Sequence, residues 1–425
     1  MRLPILSQRT QRTQKGEGGT ASKENVGSKR PARLWRTAQH RPNLCRVVAL
    51  RFAQTWYCVR RMLTNSQLQQ EMSDAPGLLQ QQLQEFLREN AARYAYGELF
   101  KPLYDDMAEF VSRPGKRIRP LLFLLGYRIF GGDRPLQNVP LLRGALALEL
   151  LHAFILIHDD VIDKSVRRRG LPTFHRLVEE RMRTQQLSER ERIGENVALV
   201  IGDMLFALAL DTLQQTDFPA EARTAALNRL LGYVTDTGCG EIYDILLGPK
   251  EISAVPEPDI TRMYMLKTTR YTFEGPFVLG GLLAGQPPAA LDGIAAITDP
   301  LGLAFQIQND LTEFARFDLA DPATQTDLLD GKKTMLMRTT FDFLSEVDRA
   351  FLCMCMAAHR TEPSALIKVK DLIDKAGTVP RLRARIQELF ATAARAIDTS
   401  SFTEPQRAGI RESIELIRHY SGTAA

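Results

Sequence analysis

The stretch HDDVID carries three acids, Asp159, Asp160 and Asp163, within five residues. On a helix Asp159 and Asp163 are one turn apart and share a face, with Asp160 on the flank. The residues before them, LLHAFILI, are almost all apolar. Carboxylates converging from a packed helix repel one another and resist ionising. A divalent cation relieves that repulsion. Hard oxygen ligands with several open positions suit Mg²⁺, which commonly bridges a few carboxylates to phosphate oxygens. A solvated polar helix end would read the same way, so the acids alone do not decide. Two basic runs weigh on the choice. RRRG at 167–170 follows the acids directly, and RPGKRIRP at 113–120 adds Arg113, Lys116, Arg117 and Arg119. Guanidinium forks match phosphate oxygens. Acids for a metal beside cations for phosphate form a constellation for a diphosphate. A weaker relative of the acidic stretch lies downstream in FQIQNDLTEF at 305–314, where Asn309 stands beside Asp310, with Glu313 three residues further on.

Helices must position these groups. Apolar residues recur at helical spacing near 78–90, 101–111, 119–130, 139–158, 195–214, 220–247, 259–272, 298–316, 333–358, 380–397 and 403–420. Gly131-Gly132, Pro219, Pro256, Pro287-Pro288 and Pro363 punctuate them. Alternating strand patterns and Asn-Gly hairpin turns are absent, and no repeat of fixed period appears. The polar runs 181–196 and 318–332 read as exposed connections. The expectation is one all-α bundle of roughly ten or more helices over 76–425, preceded by a basic, disordered extension over 1–75.

The net charge of +5 belongs to that extension. Residues 1–61 hold 14 Lys/Arg against Glu17 and Glu24, leaving 41 basic and 48 acidic residues in 62–425. A body of negative net charge speaks against a nucleic-acid partner. Three readings of the extension stay open: a transit-like presequence, a disordered basic arm, or sequence upstream of a true start at Met62 or Met72. Five cysteines without CxxC or Cys/His spacing argue against a disulfide framework and fit a reducing, cytoplasmic compartment. No transmembrane segment is expected, because the apolar stretches 139–158 and 197–213 contain Arg143, Glu149 and His152, or Asp203 and Asp211.

The order and spacing of GKRIRP, ELLHAFILIHDDVIDKSVRRRGLPTFH, KTTRYTFEGP, FQIQNDLTEF and DLLDGKKT resemble the trans-prenyl diphosphate synthases of the polyprenyl synthetase family. The resemblance spans roughly 76–420, and the stretch from Glu149 to His175 is its most specific part. It implies helices around a deep central cavity, a homodimer, Mg²⁺ as cofactor, and isopentenyl diphosphate and an allylic diphosphate as substrates. Asp159, Asp160 and Asp163 would hold the metal against the allylic diphosphate, joined by Asp310 from the second motif. Arg168 resembles the arginine that grips the same diphosphate. Lys116, Arg119, His152 and Arg169 resemble the isopentenyl diphosphate grip. Lys267, Thr268 and Gln306 resemble the lining of the allylic diphosphate and the reacting carbons. Phe154, five residues before Asp159, with Ile155 beside it, resembles the floor that stops a growing chain at C20, with C15 as the neighbour.

Some side chains have plainer readings. His152 alone reads as a core histidine, and His158 as structural. Cys353 and Cys355 read as packing residues, and Gly275, Gly280, Gly281 and Gly285 as sites of close helix packing. The second motif departs from the family's usual DDxxD or DDxxG, with Asn309 at its first position and Glu313 at its last. The Gly-Lys pair usual in the following connection is missing. These departures keep open a catalytically weakened or regulatory subunit of a heteromeric synthase. A terpene cyclase fits less well, because the downstream Asn/Ser/Glu spacing fails and a cyclase has no need of GKRIRP.

Overall fold

The computed structural model describes residues 66–94, 97–168, 170–185, 188–315, 328, 331–356 and 363–421. The regular elements of the described chain are helices, except for one short hairpin. In order it runs α1 (Ser66–Tyr94), α2 (Gly97–Ser112), α3 (Ile118–Ile129), α4 (Val139–Ile162), strands β1 (Arg167–Arg168) and β2 (Leu171–Pro172), then α5 (Phe174–Thr184) and α6 (Arg190–Gln214). Next come α7 (Ala220–Leu247), α8 (Glu257–Tyr264), a π-helix (Met265–Glu274), α9 (Gly275–Leu283), α10 (Ile294–Ala315) and α11 (Met335–Asp342). The chain closes with α12 (Glu346–Met356), α13 (Pro363–Lys375), α14 (Thr378–Asp398) and α15 (Glu404–Ser421). The expected all-α bundle is present.

Helix α4 is its centre. Asn138 caps the N-terminus by accepting a hydrogen bond from the Leu141 amide at 3.0 Å, and Pro140 occupies the first turn, where a missing N–H costs nothing. The run of apolar residues on every side means that α4 is buried on nearly all faces rather than amphipathic. It packs along α6, while α3 packs on α9, α7 on the π-helix, and α10 on the π-helix and α14. By length and composition α4 and α6 could each cross a membrane. For α4 that composition answers to burial in the bundle. His158 joins the two helices: its Nε2 lies 3.0 Å from the Leu199 carbonyl, and a Cβ on Gly202 would meet its ring at 2.3 Å. The glycine readings divide. A Cβ at Gly280 would strike the Phe123 carbonyl at 2.3 Å, so α3 and α9 touch through bare backbone, whereas Gly285 has open space and a φ of +90° that ends α9.

Several boundaries differ from expectation. Residues 66–75 are helical, with Met72 and Ala75 in the core, so α1 crosses the expected domain boundary; residues 1–65 lie outside the described residues. The polar run 181–196 is largely helix, because Glu180–Arg183 and Glu189–Arg192 pair at i,i+3 and Arg181 reaches Asp106 at 2.7 Å. The run 318–332 falls mostly outside the described residues. The single helix expected over 333–358 is two, because Ser345 accepts a hydrogen bond from the Asp348 amide at 3.3 Å and starts α12. The segment 363–375, with no expected helix, forms α13. Residues 259–272 change from α to π at Met265. The hairpin β1–β2 pairs Arg167 with Pro172 and Arg168 with Leu171, and Gly170 takes a φ of +79° in its turn.

His175 begins α5, is buried, and has an Nδ1 without a hydrogen-bond partner among the described residues. Burial, aided by the charge of Arg176, pushes its pKa down to about 4 from an ordinary 6.5. The unfolded chain therefore takes up this proton on acidification before the folded chain does, and stability is lost as pH falls from the higher value toward the lower. His175→Leu is expected to shrink the fall in Tm between about pH 7 and 5. An equal fall in both proteins, measured by thermal denaturation at the two pH values, counts against a buried neutral histidine.

Candidate active site

The acids sit where α4 ends. The Asp163 amide donates to the Asp159 carbonyl at 2.8 Å, Lys164 adopts a left-handed φ of 50°, and the Ser165 amide closes on the Asp160 carbonyl at 2.9 Å. The negative end of a long helix thus coincides with three carboxylates, which adds to their demand for positive charge. The hairpin meets part of it. Thr173 Oγ1 donates to the Ser165 carbonyl at 2.7 Å and Arg113 Nη1 to the Pro172 carbonyl at 2.7 Å, which folds β1 back over the helix end. Arg168 then donates from Nε to Asp160 Oδ1 and from Nη2 to Asp159 Oδ2, each at 2.8 Å. Arg169 lies outside the described residues.

A second wall comes from α7 and the π-helix. Lys267 Nζ lies 3.3 Å from Asp159, 2.8 Å from Glu241 and 2.7 Å from Asp244. Its placement depends on Gly240, where a Cβ would meet the Lys267 amide nitrogen at 2.2 Å. Lys332 Nζ reaches Asp163 at 2.7 Å and lies 3.8 Å from Asp244. Five carboxylates therefore share three cations among the described residues of this cluster. Burial and neighbouring charge have visible consequences. Burial raises Asp160 to about 6 against the pull of Arg168. It also raises Asp163 and Glu241. Burial pushes on Asp159 in the same direction, but Lys267, Arg168 and Lys332 together bring its carboxyl below the usual range. Burial would lower Lys267, yet its carboxylate neighbours outweigh that and hold it charged. Asp160 Oδ2 and Glu241 Oε1 are buried with no hydrogen-bond partner among the described residues.

A separate cationic group lies toward α3. Lys116 Nζ stands 5.7 Å from the centre of the Phe305 ring. Arg119 is buried, donates at 2.7 Å to both Tyr271 Oη and Thr272 Oγ1, and lies over the Tyr271 ring. The Tyr271 hydroxyl is also 3.5 Å from His152 Nδ1, so Arg119 and His152 meet at this tyrosine. The other two cations of RPGKRIRP are used in the framework: Arg113 pairs with Glu109, and Arg117 with the buried Glu149.

On α10, Gln306 accepts from Asn309 at 3.5 Å. Asp310 follows on the same helix. It is buried, accepts a hydrogen bond from the Tyr264 hydroxyl, and borders a small pocket with Glu313, Phe314 and Leu336. Tyr264 in turn accepts from the Met335 amide at 2.9 Å. Thr268 follows Lys267 on the π-helix and is half-buried. Phe154 is half-buried, 4.8 Å from the His158 ring and 5.3 Å from that of Phe206 on α6, with Ile155 half-buried beside it. Lys332, from the DLLDGKKT motif, joins these groups, as do Glu241, Asp244, Tyr264, Tyr271 and Phe206, which the sequence did not single out. For Glu241 and Asp244 a signal existed: an acid pair at i,i+3 in GEIYDIL, on one face of a long helix.

The Polyprenyl synthetase family model matches residues 101–373. A geranylgeranyl diphosphate synthase from Sulfolobus acidocaldarius is 27% identical over 286 residues, 66% of this chain and 79% of the relative. A geranylfarnesyl diphosphate synthase from Aeropyrum pernix is 30% identical over 236 residues, 53% of this chain and 66% of the relative. Among solved structures, the geranylgeranyl pyrophosphate synthase of Corynebacterium glutamicum, complexed with isoprenyl diphosphate and magnesium, superposes with a TM-score of 0.71 at 27% identity, covering 81% of this chain and 98% of that one. With the family matched over more than half its length and the fold shared, the chain is a prenyltransferase of the polyprenyl synthetase family.

Proposed function

We propose that the chain condenses isopentenyl diphosphate with an allylic diphosphate, head to tail, to make a short-chain trans-prenyl diphosphate, C20 in the first place and C15 as the neighbouring length. The observation that carries this reading is the pairing of two charged groups: Arg168, Lys267 and Lys332 around Asp159, Asp160 and Asp163, and Arg119 with His152 at Tyr271. Two diphosphates need two such grips.

The first group fits Mg²⁺. Its donors are hard carboxylate oxygens, and among the described residues it carries more negative than positive side chains and Asp160 Oδ2 is buried without a hydrogen-bond partner. Asp159, Asp160 and Asp163 would hold the ion. When bound, it neutralises diphosphate oxygens and stabilises the departing pyrophosphate. Arg168, Lys267 and Lys332 are placed to take up charge on the same leaving group as the allylic carbon–oxygen bond breaks. Lys116, Arg119 and His152 hold isopentenyl diphosphate so that its double bond attacks the allylic carbon, after which the released pyrophosphate takes up a proton from the condensed cation and the new double bond forms. Thr268 and Gln306 line the reacting carbons. Phe154, backed by Phe206, stops the growing chain. Exposed Leu199 and Val200 on α6, with Ile242, Ile245 and Leu246 on α7, favour a homodimer that covers these apolar side chains. The free cysteines Cys239, Cys353 and Cys355 favour the cytoplasm.

Asn309 supports a second reading, a weakened or regulatory subunit, because an amide brings no charge to a metal. The purified chain, given Mg²⁺, isopentenyl diphosphate and each allylic primer, separates the two. Product formation that EDTA abolishes is the expected result. Silence alone but turnover beside a partner synthase establishes the subunit. Phe154→Ala is expected to lengthen the product in chromatographic product analysis, and an unchanged length rejects the floor. Asn309→Asp is expected to lower the Mg²⁺ concentration for half-maximal rate several-fold, and an unchanged titration shows that charge at this position does not limit the site.

A further inference from the structure

One acid of the cluster has no task in that reaction scheme. Glu241 stands one turn before Asp244 on α7, with Oε2 at 2.8 Å from Lys267 Nζ and Oε1 buried without a hydrogen-bond partner among the described residues. Lys267 already meets Asp159 at 3.3 Å and Asp244 at 2.7 Å, so Glu241 is a third carboxylate on one ammonium. Burial raises Glu241, and the charges of Asp159 and Asp244 act in the same direction, so the group lies in a place short of positive charge. On α10, Asn309 donates to Gln306, and Asp310 accepts a hydrogen bond from the Tyr264 hydroxyl. Glu241 and Asp244 bring negative charge to the cluster from α7.

Resting on the reading above, we propose that Glu241 is a further metal-binding carboxylate, whose open oxygen takes part in holding the Mg²⁺–diphosphate complex and supplies from α7 the charge that α10 lacks at Asn309. The alternative is that Glu241 only holds Lys267 in place. The two differ in what the loss of charge does. A ligand is missed by the metal, whereas a mere holder is missed by the fold or by Lys267.

Glu241→Gln keeps the side-chain length and removes the charge. The test is calorimetric titration of Mg²⁺ into the full chain with inorganic pyrophosphate present and no turnover, beside thermal denaturation without metal. The expected result is Mg²⁺ binding weakened about tenfold or more, with the metal-free Tm unchanged or raised because a repelled carboxylate is gone. Adding Asn309→Asp to Glu241→Gln is expected to recover most of the lost affinity. Mg²⁺ binding equal to wild type, or a lowered metal-free Tm with unchanged Mg²⁺ binding, overturns the proposal. Failure of Asn309→Asp to recover affinity overturns the relocation of charge. Glu241→Asp, which keeps the charge but withdraws it by a methylene, gives the same readout with a smaller loss if the amide variant does not fold. If wild type itself shows no Mg²⁺-dependent pyrophosphate binding, the proposed function falls, and not this inference alone.

Discussion

Among the described residues, too little positive charge for the acids gathered at the end of α4 is the constraint on which the rest of the structure depends. Asp159, Asp160 and Asp163 stand at the negative pole of a buried helix, with Glu241 and Asp244 facing them from α7. In water such a group would be harmless. With most of each side chain out of solvent, repulsion between like charges is strong and ionisation is resisted, as the raised Asp160, Asp163 and Glu241 record. The same low dielectric makes any cation placed there worth more. A site for an ionising diphosphate has to be built this way, because charge stabilisation acts most strongly where water is excluded.

The fold delivers its cations to this point from three separate parts of the chain. Arg168 comes from a hairpin that Thr173 and Arg113 tie down, Lys267 from a π-helix, and Lys332 from the approach to α11. The π-helix is held between bare glycines: a Cβ on Gly240 would meet the Lys267 backbone, and one on Gly302 would meet Thr269. Its wider turn, a form often found at functional sites, places Lys267 toward the acids and Tyr271 toward Arg119. Close backbone contact on both flanks leaves little freedom to either side chain. Tyr264, immediately before the π-helix, fixes a further junction by joining Asp310 on α10 to the first amide of α11. One continuous helical segment thus touches both groups of cations and the second acidic motif.

Much of this was legible in the residues themselves. Helical periodicity located most of the bundle, because amphipathic or wholly apolar spacing is a local property of the chain. The acids of HDDVID and the arginines after them announced a diphosphate site, because they are adjacent and of opposite charge. Other signals were present but weaker: the capping serine of α12 and the polar helix around 181–196 follow rules of local pairing that composition hides.

The sequence by itself determined a helical chain with clustered acids and cations, since those follow from spacing within single elements. Only the tertiary structure decided which of those charges serve the site. Arg117 read like Lys116 and Arg119, yet an ion pair with the buried Glu149, 32 residues away on α4, makes it framework, whereas the Glu109–Arg113 pair follows a local i,i+4 spacing. Asp310 read like the other acids, and packing sets the Tyr264 hydroxyl against its carboxylate. Glu241 and Asp244 lie some eighty residues from the first aspartates, and their i,i+3 spacing shows a shared face but not what that face meets. They enter the cluster because α7 crosses the π-helix through Gly240. Long-range contact between elements sets the local charge balance, and no spacing within one helix can encode it.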